Sequence, residues 1–412
     1  MGEDHNREYE LLVERLKARG LDVEKIKSRL KDQRIETPSW GYSNSGTRFG
    51  TYRQAGSAVT IEEKVADAAQ VHKYTGVAPS VAVHVLWDFP NGIADCKGLA
   101  SYAESLGVVI GAVNPNVFQD RDYAFGSITN EDPAVRRKAV DHMLDSIEIG
   151  KLLGSEVLSL WFADGTDYPG QGDFRRRKTW ATECFKTVYD AMPPNMRMLI
   201  EYKPFEPAFY HTDIADWGMS YVFCQKCGPR AHVLVDLGHH LHGTNIEHIV
   251  AFLLDEERLG GFHFNDHKYA DDDLTVGSID PYQLFRIYNE LVKAEDSPNK
   301  NPPVAYMVDQ AHVTKSKIEA MIQTIEHVQT AYAKALCINR NKLAQAQADK
   351  DIVTAETSLT DAFNTDVSPL LKFVREEMAL DPNPLDAFRA GGYWEKVGKE
   401  RGERASTGGL GA

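Results

Sequence analysis

Apolar runs of strand length recur along the chain and alternate with longer segments whose apolar positions follow a helical period. The first four runs are Pro38-Ser-Trp-Gly41, Val81-Ala-Val-His-Val-Leu-Trp87, Val108-Val-Ile-Gly-Ala-Val113 and Val157-Leu-Ser-Leu-Trp-Phe162. Four more follow: Met198-Leu-Ile-Glu-Tyr-Lys203, Val233-Leu-Val-Asp-Leu-Gly-His239, Phe262-His-Phe-Asn-Asp266 and Ala305-Tyr-Met-Val-Asp-Gln310. Segments 133–153, 175–192, 246–259 and 280–295 between them read as helices. Near-continuous apolar strands suit a parallel sheet covered by helices on one face and filled by side chains on the other. About eight strand–helix units predict an α/β fold, a (β/α)8 TIM barrel.

The ends of the chain differ from this middle. Residues Glu8 to Lys31 are charged and helical in period, with Leu11, Leu12, Leu16 and Leu21 as a modest apolar stripe. Beyond Asp309, Thr314 to Leu371 is largely helical, Asp381-Pro-Asn-Pro384 is a break, and Gly402 to Ala412 is glycine-rich. The expected division is a helical N-terminal extension over 1–35, the barrel over 36–330, and a C-terminal helical extension over 331–412 that serves oligomerisation.

Bulk properties narrow the function. A formal net charge of −14 argues against a nucleic-acid partner, which needs a basic face. No apolar run approaches the ~20 residues that span a membrane, and Met1-Gly-Glu-Asp-His-Asn-Arg has no signal-peptide core. A cytoplasmic protein is expected. Five cysteines do not make a disulfide framework, and the Cys224/Cys227 pair lacks the second pair of a zinc ribbon, so ordinary reduced thiols are expected.

Candidate chemistry lies where the last four strands stop. They close on Glu201, on Asp236 and His239, on His263 followed by Asp271-Asp-Asp273, and on Asp309. In a TIM barrel the C-terminal ends of the strands open on one face. Burying so many carboxylates without a cation would cost several kcal/mol per ion. Any one of these residues alone reads as a helix cap or a solvated loop; together they read as a metal site of mostly oxygen ligands. That donor set suits Mn²⁺, Mg²⁺ or Co²⁺ better than structural zinc. Asp271 and Asp273 are two apart, so an extended loop would point both carboxylates the same way. His84, otherwise a core histidine, ends a strand at the same mouth and becomes a catalytic candidate. Lys203, two residues after Glu201, is placed to polarise a substrate oxygen or to pair with a carboxylate. Trp40, Trp87, Phe118 and Trp161 fall at strand ends, where rings form walls for sugars. His240, His242 and His267 have no assigned role. No Gly-x-Gly-x-x-Gly or Walker pattern occurs.

Longer stretches carry a resemblance. Glu206-Pro-Ala-Phe-Tyr210, Leu234-Val-Asp-Leu-Gly-His-His240, Gly260-Gly-Phe-His-Phe-Asn-Asp266, Lys268-Tyr-Ala-Asp-Asp-Asp-Leu274 and Asp309-Gln-Ala-His312 resemble the L-rhamnose isomerases of the shorter bacterial type, within the xylose-isomerase-like TIM barrels. The resemblance implies a substrate-anchoring metal on Glu201, Asp236, His263 and Asp309. Asp236 would bridge to a second, catalytic metal held also by His239, Asp271 and Asp273. It further implies that His84 lies near the sugar ring oxygen and Lys203 near the reacting oxygens. Trp40, Phe118 and Trp161 match the pocket walls, and Phe49, in Gly46-Thr-Arg-Phe49, matches a residue that reaches into a neighbouring subunit's site. Xylose isomerases proper have an acid where His263 stands. The implied activity is aldose–ketose isomerisation of L-rhamnose and related aldoses such as D-allose or L-mannose, by hydride shift in a homotetramer with two divalent cations per subunit, most readily Mn²⁺. A ketose 3-epimerase, an endonuclease-IV-like phosphodiesterase and a non-catalytic carbohydrate-binding protein are the alternatives; the acidic charge speaks against the second, and the third would not explain two ligand sets.

Overall fold

The structure, a computed structural model, describes residues 2–47, 49–206, 210–297 and 303–405. Eight parallel strands close into a barrel: β1 (Glu36–Pro38), β2 (Ser80–His84), β3 (Val109–Asn114), β4 (Val157–Leu160), β5 (Arg197–Glu201), β6 (Ala231–Asp236), β7 (Leu259–Phe264) and β8 (Ala305–Val308). Neighbours in the barrel are neighbours in the chain, and β8 returns to β1 through Glu36 opposite Met307. The fold is the expected (β/α)8 TIM barrel. Register sets the mouth. Leu234 lies beside Glu201, Asp236 beside His263, and Phe264 beside Val308, so the acidic ends finish at nearly one level. β6 and β7 are buried along their whole length, which is why they lack polar alternation.

Local signals place the helices. Asp132 caps the helix Pro133–Leu153 and Asp280 caps Pro281–Glu295, each with proline in the first turn, where its missing N–H does no harm. Thr60 and Glu63 form a capping box on Ile61–Thr75. A small interior cluster that includes Ala82, Ala112, Leu199, Leu234 and Met307 fills the barrel beneath the mouth. Deeper still, Glu36 is half-buried and takes a hydrogen bond from the Ala112 N–H at 2.9 Å. Its carboxylate fits only because residue 111 is glycine; a Cβ there would lie 1.4 Å from Glu36 Oε2. Gly111→Ala is therefore expected to destabilise the barrel by at least ~1–3 kcal/mol through overpacking. An unchanged thermal midpoint would show that the floor yields.

Several boundaries depart from expectation. The N-terminal helix is two helices, Gly2–Ala18 and Val23–Asp32, separated by Gly20 at φ +78° and restarted by the Asp22 cap. The run Pro38 to Gly41 leaves β1 at Pro38 and continues as a 3₁₀ turn over Ser39–Tyr42, while Val85–Asp88 is one helical turn after β2. The helix expected over 246–259 ends at Asp255, and Leu259 already belongs to β7. The helix Lys317–Leu336 runs without a break through residue 330, where the barrel was expected to end. The tail helices then return. Arg401 bonds to Asp67 (Nη1–Oδ2 2.8 Å) and Arg404 to Glu63 (Nη2–Oε2 2.6 Å), both on the helix after β1. No described helix is long and apolar enough to cross a membrane. All five cysteines are buried and free.

Candidate metal centre

The strand ends bring together what the sequence suggested. Glu201 closes β5, Asp236 closes β6, His263 stands near the end of β7, and Asp309 follows β8. One donor atom from each of these four lies within 4.8 Å of the others. Asp236, His239 and Asp271 form a second set on the same criterion, so Asp236 belongs to both. His263 Nδ1 is 3.2 Å from Glu201 Oε2, and His239 Nε2 is 2.9 Å from Asp271 Oδ1. Asp273 is in neither set but lines the same cavity, with the Asn265 amide 3.4 Å from its Oδ1. Asp236 is wholly buried and held by the Gly238 N–H (2.7 Å) and the Asn265 amide (3.0 and 2.9 Å).

The acidic loop is not extended. Asp271 and Asp273 sit at φ +52° and +47°, the left-handed region that aspartate tolerates better than most residues. Between them Asp272 turns away and accepts three backbone N–H bonds of 2.8 Å, from Lys268, Tyr269 and Ala270. The middle acid pins the loop, and the outer two face the cavity. Strand-like alternation is thus replaced by a pinned turn with the same outcome.

The opposite half of the mouth is aromatic. The His84 ring lies 4.7 Å from Trp40, 4.2 Å from Trp87 and 5.7 Å from Phe118, and Phe118 lies 4.9 Å from Trp161. Trp40 Nε1 donates to Asp309 Oδ1 at 2.8 Å, joining the two halves. Lys203 Nζ stands 5.1 Å over the Trp161 ring, 2.5 Å from Asp271 Oδ2 and 2.8 Å from Glu206 Oε2. These rings, His84, Lys203 and the acids enclose a cavity of about 90 Å³. A larger one, about 720 Å³, lies outside the barrel wall against the helices Phe174–Ala191 and Trp217–Cys227, and contains none of the strand-end ligands. Size does not mark the site here; convergent polar groups do.

Of the residues expected at the site, only Phe49 lies apart. It is 79% exposed on the hairpin of Ser45–Thr47 and Gly50–Tyr52, away from its own chain's cavity. Of Glu206-Pro-Ala-Phe-Tyr210, residues 207–209 lie outside the described residues. Asn114, Ser159, Asn265 and Glu206 were not foreseen. Ser159 had a signal, since it precedes Trp161 by two in the run that ends β4, and an extended chain points both the same way. His240 is occupied by the Tyr202 hydroxyl, 2.6 Å away.

Electrostatics test the fit of a cation. Burial and the Glu201 and Asp309 carboxylates push Asp236 up to about 7, and burial with Asp271 and Asp309 pushes Asp273 well up. Burial opposes protonation of His263, yet the Glu201 and Asp309 carboxylates lift it to about 9. His239 is raised likewise, burial being outweighed by Asp236 and Asp271. Without a cation, the cluster is balanced by protons on groups that are otherwise good ligands. Oxygen and imidazole donors at this spacing fit a divalent ion. Metal binding is therefore expected to release protons, and affinity should rise with pH through about 9, where His263 loses its proton. Calorimetric titration in buffers of different ionisation enthalpy measures this directly; no proton release would contradict it.

Residues 66–287, more than half of the chain, match the family described as xylose isomerase-like TIM barrel. The chain belongs to this family. It is 42% identical over 408 residues to a Rhizobium meliloti protein named "Probable sugar isomerase", covering 98% of this chain and 94% of that one. A xylose isomerase of Thermus thermophilus is 27% identical over 184 residues, 42% of this chain and 47% of its own. Among solved structures, a D-allulose 3-epimerase from Methylomonas sp. superposes with a TM-score of 0.51 at 12% identity, over 73% of this chain and 98% of that one. The last likeness speaks to the barrel alone. The family membership makes the protein a sugar isomerase-like enzyme whose carboxylate–histidine cluster is a candidate divalent-metal site.

Proposed function

We propose that the protein is a metal-dependent aldose–ketose isomerase that interconverts L-rhamnose and L-rhamnulose and acts on related aldoses such as D-allose or L-mannose. The observation that carries this reading is the pair of donor sets sharing Asp236 beneath an aromatic wall. The resemblance to L-rhamnose isomerases, with His263 where xylose isomerases proper have an acid, supports the substrate. Glu201, Asp236, His263 and Asp309 would hold one cation, and Asp236, His239, Asp271 and Asp273 the other, Mn²⁺ being preferred over Mg²⁺ or Co²⁺. Such ions supply Lewis acidity that stabilises negative charge on the sugar's oxygens, worth several kcal/mol of barrier.

The chain's own residues do the rest. Burial pushes His84 down to about 3, with His263 adding to the effect, so at neutral pH its imidazole is uncharged and can accept a hydrogen bond from the ring hydroxyl and relay its proton onward rather than hold it. Lys203 remains a cation, because Asp271 and Glu206 outweigh the burial that opposes its charge, and it directs that charge at the reacting oxygens. Trp40, Trp87, Phe118 and Trp161 exclude water from C1 and C2, so hydrogen can cross between them as hydride. The working assembly is a cytoplasmic homotetramer in which the tail contributes contacts and Phe49 closes a neighbour's pocket.

An epimerase would exchange a proton with acid and base groups around one metal, and the second donor set favours isomerisation over that. Ketose formation from an aldose deuterated at C2 decides between them, because a ketose 3-epimerase leaves that carbon untouched. Isomerisation by hydride shift carries the label to C1 of the ketose, whereas loss of the label to solvent would defeat the proposal.

A further inference from the structure

Behind the aromatic wall lies a charge pair that the chemistry above does not use. Lys64, on the helix Ile61–Thr75, places Nζ 2.6 Å from Asp88 Oδ1, with the two side chains 1% and 0% exposed. Asp88 Oδ2 accepts two more bonds, from the Ser39 hydroxyl at 2.6 Å and from the His84 backbone N–H at 2.8 Å. Three elements meet on one carboxylate: the helix after β1, the turn that ends β1, and the end of β2. Ser39 immediately precedes Trp40, whose Nε1 bonds to Asp309, and Asp88 immediately follows Trp87.

An ion pair this deep is poorly explained by stability. Desolvation offsets most of its attraction, and well-packed apolar replacements of such pairs are often no less stable. What an apolar pair cannot supply is directed acceptors, which fix the geometry of the donors they meet. We propose that Lys64 and Asp88 form a positioning unit for the pocket. Lys64 balances and orients the carboxylate, and Asp88 locks the ends of β1 and β2 together, aiming His84 and Trp40 at the substrate. The catalytic consequence rests on the isomerase reading; the positioning itself does not.

Two double variants of the full, Mn²⁺-loaded chain separate the roles. Lys64→Met/Asp88→Leu removes both charges and both acceptors, whereas Lys64→Met/Asp88→Asn keeps an acceptor oxygen. Both are expected to fold and to bind Mn²⁺ unchanged, the leucine variant with a lower midpoint because the buried Ser39 hydroxyl and His84 N–H lose their acceptor. The leucine variant should lose roughly 100-fold in kcat, the scale of a small misplacement of reacting groups, with little change in KM, and the asparagine variant should recover most of that loss. The Trp40 indole N–H resonance, which reports the bond to Asp309, should move in the first and not in the second. Ser39→Ala deletes one donor only and is the arm that remains if the leucine variant unfolds; it should shift the same resonance. Wild-type kcat with an unmoved indole resonance in the leucine variant, or an unmoved resonance in Ser39→Ala, overturns the assignment. A wild-type chain that turns over no aldose defeats the isomerase reading instead, and the indole resonance still decides the positioning.

Discussion

Asp236→Asn is expected to reduce kcat/KM by at least about a thousandfold, equivalent to ~4 kcal/mol of transition-state stabilisation. Asp236 is common to both donor sets, so its loss should lower the bound metal from two ions to at most one, as read by elemental analysis. The amide keeps the shape and can still meet the Gly238 N–H, so the fold should survive. Metal-free stability should even rise. Folding lifts this carboxyl from its ordinary range to about 7, which destabilises the metal-free native state increasingly as pH rises from about 4 to 7. Asparagine removes that penalty at neutral pH and makes no difference at pH values below the ordinary carboxylate range. A fully active, metal-replete variant would contradict the bridging role.

Lys203→Met should be the next most damaging change. The ammonium is the one cationic side chain lining the cavity among the described residues, apart from histidines, and it is only 5% exposed. Its removal should lower kcat by ~10²–10⁴-fold, the usual range for a positioned proton-handling or charge-stabilising group, while KM changes little. Asp271 also loses its partner at 2.5 Å, so the pinned acidic loop should loosen and Mn²⁺ should exchange faster. Steady-state kinetics with metal held in excess separates the two effects. Retained kcat with only weakened metal binding would reduce Lys203 to a charge partner for the loop.

Much of this site was legible because strand geometry is simple. Glu201, Asp236, His263 and Asp309 each stand at the end of an apolar run, and a closed parallel barrel brings such ends to one rim whatever the intervening helices do. Trp161 and His84 were found by the same rule. What escaped was set by loop conformation or by long-range pairing. The left-handed turns at Asp271 and Asp273 depend on the three N–H groups that grip Asp272, and no periodicity encodes those. The Lys64–Asp88 pair joins residues 24 positions apart, one on a helix that read as ordinary covering. Gly20, which breaks the first helix, sat unremarked within a stretch of good helical period. Phe49 does not line its own chain's pocket, and sequence pattern does not say which molecule a hairpin faces.

Anomalous diffraction from crystals grown with Mn²⁺ tests the central claim most directly. Two peaks per chain are expected, one enclosed by Glu201, Asp236, His263 and Asp309 and the other beside His239 and Asp271, with Asp236 between them. A single peak, or a mouth held together by protons alone in catalytically active protein, would contradict the account.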